Sequence, residues 1–178
     1  MSTSLVSELE RLADALKSDG AGAVERSLPA VAEKIARELR VKADEVAILA
    51  VSHRRRHLHF LVPHVLKNVG FIPLTSNSAL AARTARDSRP EINNNFSAVR
   101  HAAVFEGVKT ATAKSIQKII SAPILFEEKV VGAMQISRKG GSLVSAGPDF
   151  TPEELGRVLA ICKPLGKLVS LLAGSEPQ

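Results

Sequence analysis

Apolar and polar positions repeat with two different periods along this chain, and those periods mark out its elements. Over residues 4–17, Leu5, Leu9, Leu12 and Leu16 recur at helical spacing and form one narrow stripe. Such a seam suits a helix–helix contact of the coiled-coil kind as well as docking on a core. The stretch SDGAG, residues 18–22, ends this helix. A second helix is predicted over 27–40, with Ser27 as its cap and Pro29 in its first turn. Leu28, Val31, Ile35 and Leu39 form its apolar face.

The period then changes to two. DEVAILAVS and HLHFLVP read as successive strands, the second closed by Pro63. An even-numbered loop between them pairs Ser52 with His57, Ala50 with His59 and Ile48 with Leu61. His57 and His59 then share one face over Ala50 and Ser52, while Leu49, Val51, Leu58, Phe60 and Val62 share the other. Arg54, Arg55 and Arg56 fall at the hairpin tip, which has no Gly or Asn for a tight two-residue turn. HVLKNVGFIPL is less regular, and SALAARTARDS predicts a short helix over 78–86 capped by Ser78. A short strand is expected over 91–93, followed by loop and one weak helix up to 114. A long, poorly patterned stretch of this kind inside a compact domain is often functional.

Regular patterning returns in SIQKIISAPILF and VVGAMQIS, which predict a hairpin across the turn EEK. FTPEELGRVLAICKPLGKLVSLL predicts a strong final helix. Thr151 caps it, Pro152 takes the first helical position and Glu154 completes the capping box. Leu155, Leu159, Cys162, Gly166 and Val169 mark one side of that helix; Val158, Ile161, Leu165, Leu168 and Leu172 mark a neighbouring side. This surface is wider than one sheet face requires, so two partners are expected: the sheet, and either another helix or a second subunit. Pro164 should kink the helix.

Composition narrows the function classes. The chain has 178 residues, 45% apolar and 24% charged, the profile of a globular domain with a sizeable core. No apolar run is long enough to span a bilayer and no signal peptide opens the chain, so a cytoplasmic protein without membrane contact is expected. The one cysteine, Cys162, excludes an internal disulfide and an all-cysteine metal site. Net charge is +6, which raises nucleic acid as a partner; with no Trp, no Tyr and six Phe there is little material for stacking bases.

The candidate chemistry is sparse. His57 and His59 together offer two metal ligands, but no cysteine or nearby acid completes a set, and no metal or other cofactor is expected. There is no Gly-rich phosphate loop, no G-x-S-x-G and no H-E-x-x-H, which argues against an enzyme. Asp149, Glu153 and Glu154 are accounted for by helix capping and the helix dipole. A small-molecule pocket needs apolar walls with a few polar groups. Phe71, Leu80, Arg83, Phe96, Arg100, His101 and Phe105 in the middle segment can supply both, with His57 and His59 beside them.

The order of elements, and above all SAPILFEEKVVGAMQISRKGGSLVSAGPDFTPEELGRVLAICKPLGKLVSLL, resembles a GAF domain. The parts that match are an apolar strand with Pro123, a short turn, an apolar strand around Gly132, a variable loop, then Phe-Thr and a long helix. EVAILAVSHRRRHLHFLV stands where the family has its first hairpin, and the resemblance covers residues 25–172. It implies an α+β fold with a central, largely antiparallel sheet of five to six strands. The N- and C-terminal helices would share one face, and short helices and loops the other. It also implies a sensory, signal-transducing module.

Residues 1–22 are then an amphipathic dimerisation helix, 23–173 the GAF-like domain and 174–178 a frayed tail. Leu5, Leu9, Leu12, Leu16, Val158, Ile161, Leu165 and Leu168 would build a homodimer, and an unidentified small molecule would sit between the sheet and residues 64–114. Ser137-Arg138-Lys139 replaces the Asn-Lys pair of cyclic-nucleotide-binding relatives, although Phe150 and Glu154 remain. Cys162 lies on the last helix, away from where bilin-linked relatives attach their chromophore. A single cysteine cannot supply the several used by the methionine-sulfoxide-reducing branch. No kinase, cyclase or helix-turn-helix segment is attached, so a stand-alone regulatory module acting on an unknown output protein is expected. Two other readings stand beside it: a structural dimerisation module with a filled pocket, and a basic nucleic-acid-associated module using Arg54–Arg56.

Overall fold

The structure, a computed structural model, describes residues 4–67, 70–98 and 115–172. Its elements run α1 (Leu5–Leu16), α2 (Ala21–Leu39), β1 (Val46–Ser52), β2 (His57–Val62), β3 (Phe71–Pro73), α3 (Leu80–Asp87), β4 (Glu91–Asn93), β5 (Ile116–Phe126), β6 (Lys129–Lys139) and α4 (Pro152–Ser170). Single 3-10 turns occupy Ala43–Glu45, His64–Leu66 and Phe96–Ala98. The strands form one six-stranded sheet in the order β3-β2-β1-β6-β5-β4, with every neighbouring pair antiparallel.

Strand parity divides the core in two. Val46, Ile48 and Ala50 of β1, Ile120, Ala122 and Ile124 of β5, and Met134 and Ile136 of β6 pack against α1, α2 and α4. Ala47, Leu49, Val51, Leu58 and Phe60 face the other way and pack against Ala81, Ala82 and Ala85 of α3. The chain is therefore α+β, with the terminal helices on one face and a short helix on the other. Three helices cover one face with large side chains, whereas α3 has eight residues and presents alanines to the sheet.

The sequence pattern places several boundaries and misses others. The capping box of α4 forms: Thr151 Oγ1 accepts from Glu154 N at 3.2 Å, and Glu154 Oε1 accepts from Thr151 N at 3.0 Å. In contrast, α2 begins at Ala21, not near residue 27, because only Gly20, at φ +84°, breaks the chain there. Ser27 is consequently inside α2, where its hydroxyl donates to Val24 O at 2.6 Å, and Pro29 is inside the helix too. Ser78 is not the cap of α3; the helix starts at Leu80, and Ser76 Oγ accepts from Ala79 N at 3.1 Å instead. The turn between β5 and β6 is Glu127-Glu128, both at positive φ, so Lys129 already belongs to β6.

Among the two partners expected for α4, one is β5 and the other is α1 of the same chain. Leu9 and Ala13 of α1 are buried in the same cluster as Val158, Ile161, Leu165 and Leu168 of α4. The wide apolar surface of α4 is thus met within one protomer.

Candidate functional site

The β1–β2 hairpin turns through four residues, 53–56, with Arg56 at φ +54°. The resulting register pairs Ser52 with His57 and Ala50 with His59, as an even loop requires. A bulge beyond Leu49 then pairs Ile48 with Val62 in place of Leu61. Ala50 lies on the face of α1, α2 and α4, so His57 and His59 lie there as well. Phe71 pairs with His59 and stacks on His57 at 4.3 Å between ring centroids, on the same face. These three residues are therefore not walls of a site on the α3 face. Parity sends them to the opposite side, where Phe71 is 61% exposed at the sheet edge.

The α3 face of the sheet carries the arrangement that remains. Leu80 and Phe96 come together over Ile116 and Ile119 in a buried apolar cluster. Beside it runs a chain of buried polar side chains. Thr84 Oγ1 donates to Leu80 O at 2.9 Å and lies 2.7 Å from Ser121 Oγ; Gln135 Nε2 donates to Ser121 Oγ at 3.2 Å. Because the Thr84 proton goes to Leu80 O, the Ser121 proton goes to Thr84. Protons thus point one way, from Gln135 through Ser121 and Thr84 to the end of the α3 turn. Ser121 and Gln135 are cross-strand partners, so register alone aligns them. Arg83 is at the rim, 3.9 Å from Glu91 with both side chains about two-fifths exposed (41% and 45%). Exposed pairs of this kind contribute little to stability. Arg100, His101 and Phe105 lie outside the described residues.

The helical face has its own concavities. A groove of about 690 Å³ between α1 and α2 is lined by Leu9, Leu12, Ala15, Ala30 and Val31, with Glu8, Arg11 and Lys34 at its edge. A second, of about 640 Å³, lies where Leu5 and Val6 of α1 meet Arg37 of α2 and Arg157 of α4. Leu5, Leu12 and Leu16 are half-buried against the core. Leu9, Val158, Ile161, Leu165 and Leu168 retain at most 1% of their surface, so they have nothing left to offer a second copy. This corrects these five positions of the expected dimer seam, which pack inward between α1 and α4.

Cys162 is on that inward side of α4. Burial pushes its thiol up to about 12, far from the range in which a cysteine acts as a nucleophile. Among the described residues no three His, Cys, Asp or Glu side chains are grouped to hold a metal ion. No helix among them is long and apolar enough to cross a membrane.

Asp149 and Glu154, beside their place at the start of α4, hold two buried cations of the sheet around the β6–α4 connection. Lys118 and Arg138 are cross-strand partners on β5 and β6, and both are buried. Lys118 Nζ reaches Gly147 O and Asp149 Oδ1, each at 2.7 Å. Arg138 donates to Pro148 O at 2.8 Å and to Glu154 Oε2 at 3.0 Å, and its guanidinium lies 4.1 Å from the Phe150 ring centroid. Glu154 therefore caps α4 with one oxygen and holds Arg138 with the other. A basic residue at an inward-facing position of each apolar strand was the available signal.

No protein-family model and no curated protein matches the chain. Solved structures do. The GAF domain of an Acinetobacter phosphoenolpyruvate-protein phosphotransferase is similar over 98% of this chain and 98% of its own, with a TM-score of 0.67 at 13% identity. The corresponding domain from Coxiella burnetii matches over 96% and 94%, with a TM-score of 0.70 at 9% identity. A type II free methionine-R-sulfoxide reductase from Thermoplasma acidophilum matches over 84% of this chain and 94% of its own, with a TM-score of 0.59 at 14% identity. This chain has a GAF-like fold.

Proposed function

We propose that this chain is a ligand-responsive sensory module that takes a small molecule on the α3 face of its sheet. The observation that carries this reading is the difference between the two faces. One is a large apolar core under three helices, with the buried Lys118 and Arg138 tied up by the residues ahead of and within the start of α4. The other combines an apolar cluster, Leu80 with Phe96, Ile116 and Ile119, with the polar row Thr84–Ser121–Gln135. That mixture of apolar wall and few oriented polar groups is what small-ligand sites use. A ligand that binds one arrangement of this region more tightly shifts the population toward it, and α4 and α1 carry the change outward. The buried, unreactive Cys162 favours a binding role over a thiol-based reaction.

In the same reading the module acts as a dimer, through the half-buried Leu5, Leu12 and Leu16 and the apolar groove between α1 and α2. Native mass spectrometry of freshly purified protein tests both parts together. A retained small molecule, or a thermal shift with a metabolite panel, supports the sensory reading; a ligand at one hundred times its Kd stabilises by about 2.7 kcal/mol. A monomer at micromolar concentration with no retained mass and no shift refutes it. A second reading, a structural module with a filled site, is favoured by one observation: among the described residues every buried side-chain polar atom already has a partner. It predicts a dimer with no ligand response.

A further inference from the structure

The start of α4 is held from two directions, and one of them comes from the candidate site. Asn94 follows β4 and stands two residues before Phe96, which lines the site. Its side-chain amide spans the backbone of Phe150: Nδ2 donates to Phe150 O at 3.1 Å, and Oδ1 accepts from Phe150 N at 2.8 Å. Asn94 thereby pairs with Phe150 as one strand residue pairs with another. From the other direction, Arg138 covers the buried Phe150 ring and binds Glu154 in the first turn of α4. Lys118 holds Gly147 and Asp149 just ahead of it.

We infer that Asn94 is a positioning residue that couples the wall of the α3-face site to the first turn of α4. The Phe96 segment cannot move far while both amide bonds to Phe150 persist. Phe150 in turn immediately precedes the capping residue Thr151, so any displacement it suffers reaches the cap. Fixing Asn93–Asn95 adds leverage: Asn93 Oδ1 accepts from Asn95 N at 2.8 Å, so the Asn94 backbone sits in a stiff turn. The coupling rests on the sensory reading for its purpose, but its mechanics belong to the chain alone.

Amide hydrogen exchange on the full chain, without any ligand, tests this. Phe96→Leu loosens the site wall. In the Asn94 background it should accelerate exchange in residues 91–98 and also in residues 151–157, the latter by about threefold or more. In an Asn94→Ala background the Phe96→Leu effect on 151–157 should fall below about twofold, while its effect on 91–98 persists. Exchange at 151–157 that ignores Phe96→Leu, or that responds equally with and without Asn94, overturns the proposal. Should Asn94→Ala fail to fold, Asn94→Asp keeps the acceptor for Phe150 N and removes the donor. Its second carboxylate oxygen repels Phe150 O, so the transmitted effect should weaken, and full transmission through Asp would equally overturn the role of the paired amide. Failure to find a ligand by mass spectrometry leaves every arm of this experiment intact, so the two ideas fail separately.

Discussion

A single methyl group added at two places on α4 should change stability in opposite directions. Gly156 is exposed, and a Cβ there would meet nothing within 4 Å. Gly166 faces the end of β5, where a Cβ would run into the carbonyl oxygen of Leu125, with the Leu125 carbonyl carbon close behind. Alanine is favoured over glycine inside a helix by about 1 kcal/mol, and this gain applies at both positions. At Gly166 it is opposed by overpacking, which costs about 1–3 kcal/mol and tends to the upper end when the obstacle is backbone. The strand cannot yield as a side-chain tip would, so α4 must lift, loosening the buried Cys162, Leu165 and Val169 beside it. Gly156→Ala should therefore stabilise by up to about 1 kcal/mol, and Gly166→Ala should destabilise by about 1–2 kcal/mol. Urea unfolding followed by circular dichroism, with the slope unchanged between variants, gives both values. A Gly166→Ala protein as stable as the parent would refute the direct helix-on-strand contact and with it the close seating of α4 on the sheet.

Three further outcomes follow from named contacts. Thr84→Val keeps the shape of the side chain but leaves the Ser121 hydroxyl without its acceptor; thermal unfolding should report a loss of about 1–3 kcal/mol, of which a Ser121→Ala change in the same protein adds less than it does alone. The Cys162 thiol, at about 12 against its ordinary 9.0, stays protonated in the folded chain while the unfolded chain loses its proton. Stability should fall by about 1.4 kcal/mol per unit as pH rises from 9 toward 12, a slope that Cys162→Ala lacks and denaturant titrations can resolve. Replacing Arg54, Arg55 and Arg56 together by Ala should leave the unfolding free energy within about 0.5 kcal/mol, because all three are exposed at the hairpin tip. A larger loss on chemical denaturation would mean that the tip carries a structural contact.

What the sequence revealed of this fold depended on whether the signal was local. The α4 capping box, the two hairpins and the Ser52–His57 register rest on neighbouring residues, and pattern alone located them. The placement of His57, His59 and Phe71 did not, because parity groups residues onto faces without saying which helices cover each face. The same holds for part of the expected dimer stripe: Leu9, Ile161 and Leu165 have the spacing of a seam, but the partner that buries them is in the same chain. Gly22 belongs to the stretch expected to break the chain and is helical, since of the two glycines only Gly20 has positive φ, as the residue from which α2 starts. Of the candidate site, Leu80 and Phe96 stand out in the sequence as apolar residues of the middle segment, and they share one buried cluster. Thr84, Ser121 and Gln135 do not stand out, since each is an ordinary polar residue until the register of β5 and β6 brings the three together. The bonds of Asn94 to Phe150 join residues 56 positions apart, beyond the reach of any local rule.

The outermost strands of the sheet limit how copies of this chain can associate. β3 and β4 are each three residues long, and β3 ends in Pro73, which has no N–H to offer. Where β5 runs on past β4 toward its hairpin turn, Pro123 removes another donor. A neighbouring chain seeking to extend the sheet by adding a strand would find a short and interrupted ladder at either side. Among the described residues, then, the backbone discourages growth into a continuous sheet and favours association through side chains, which can be gained or lost without rebuilding the sheet.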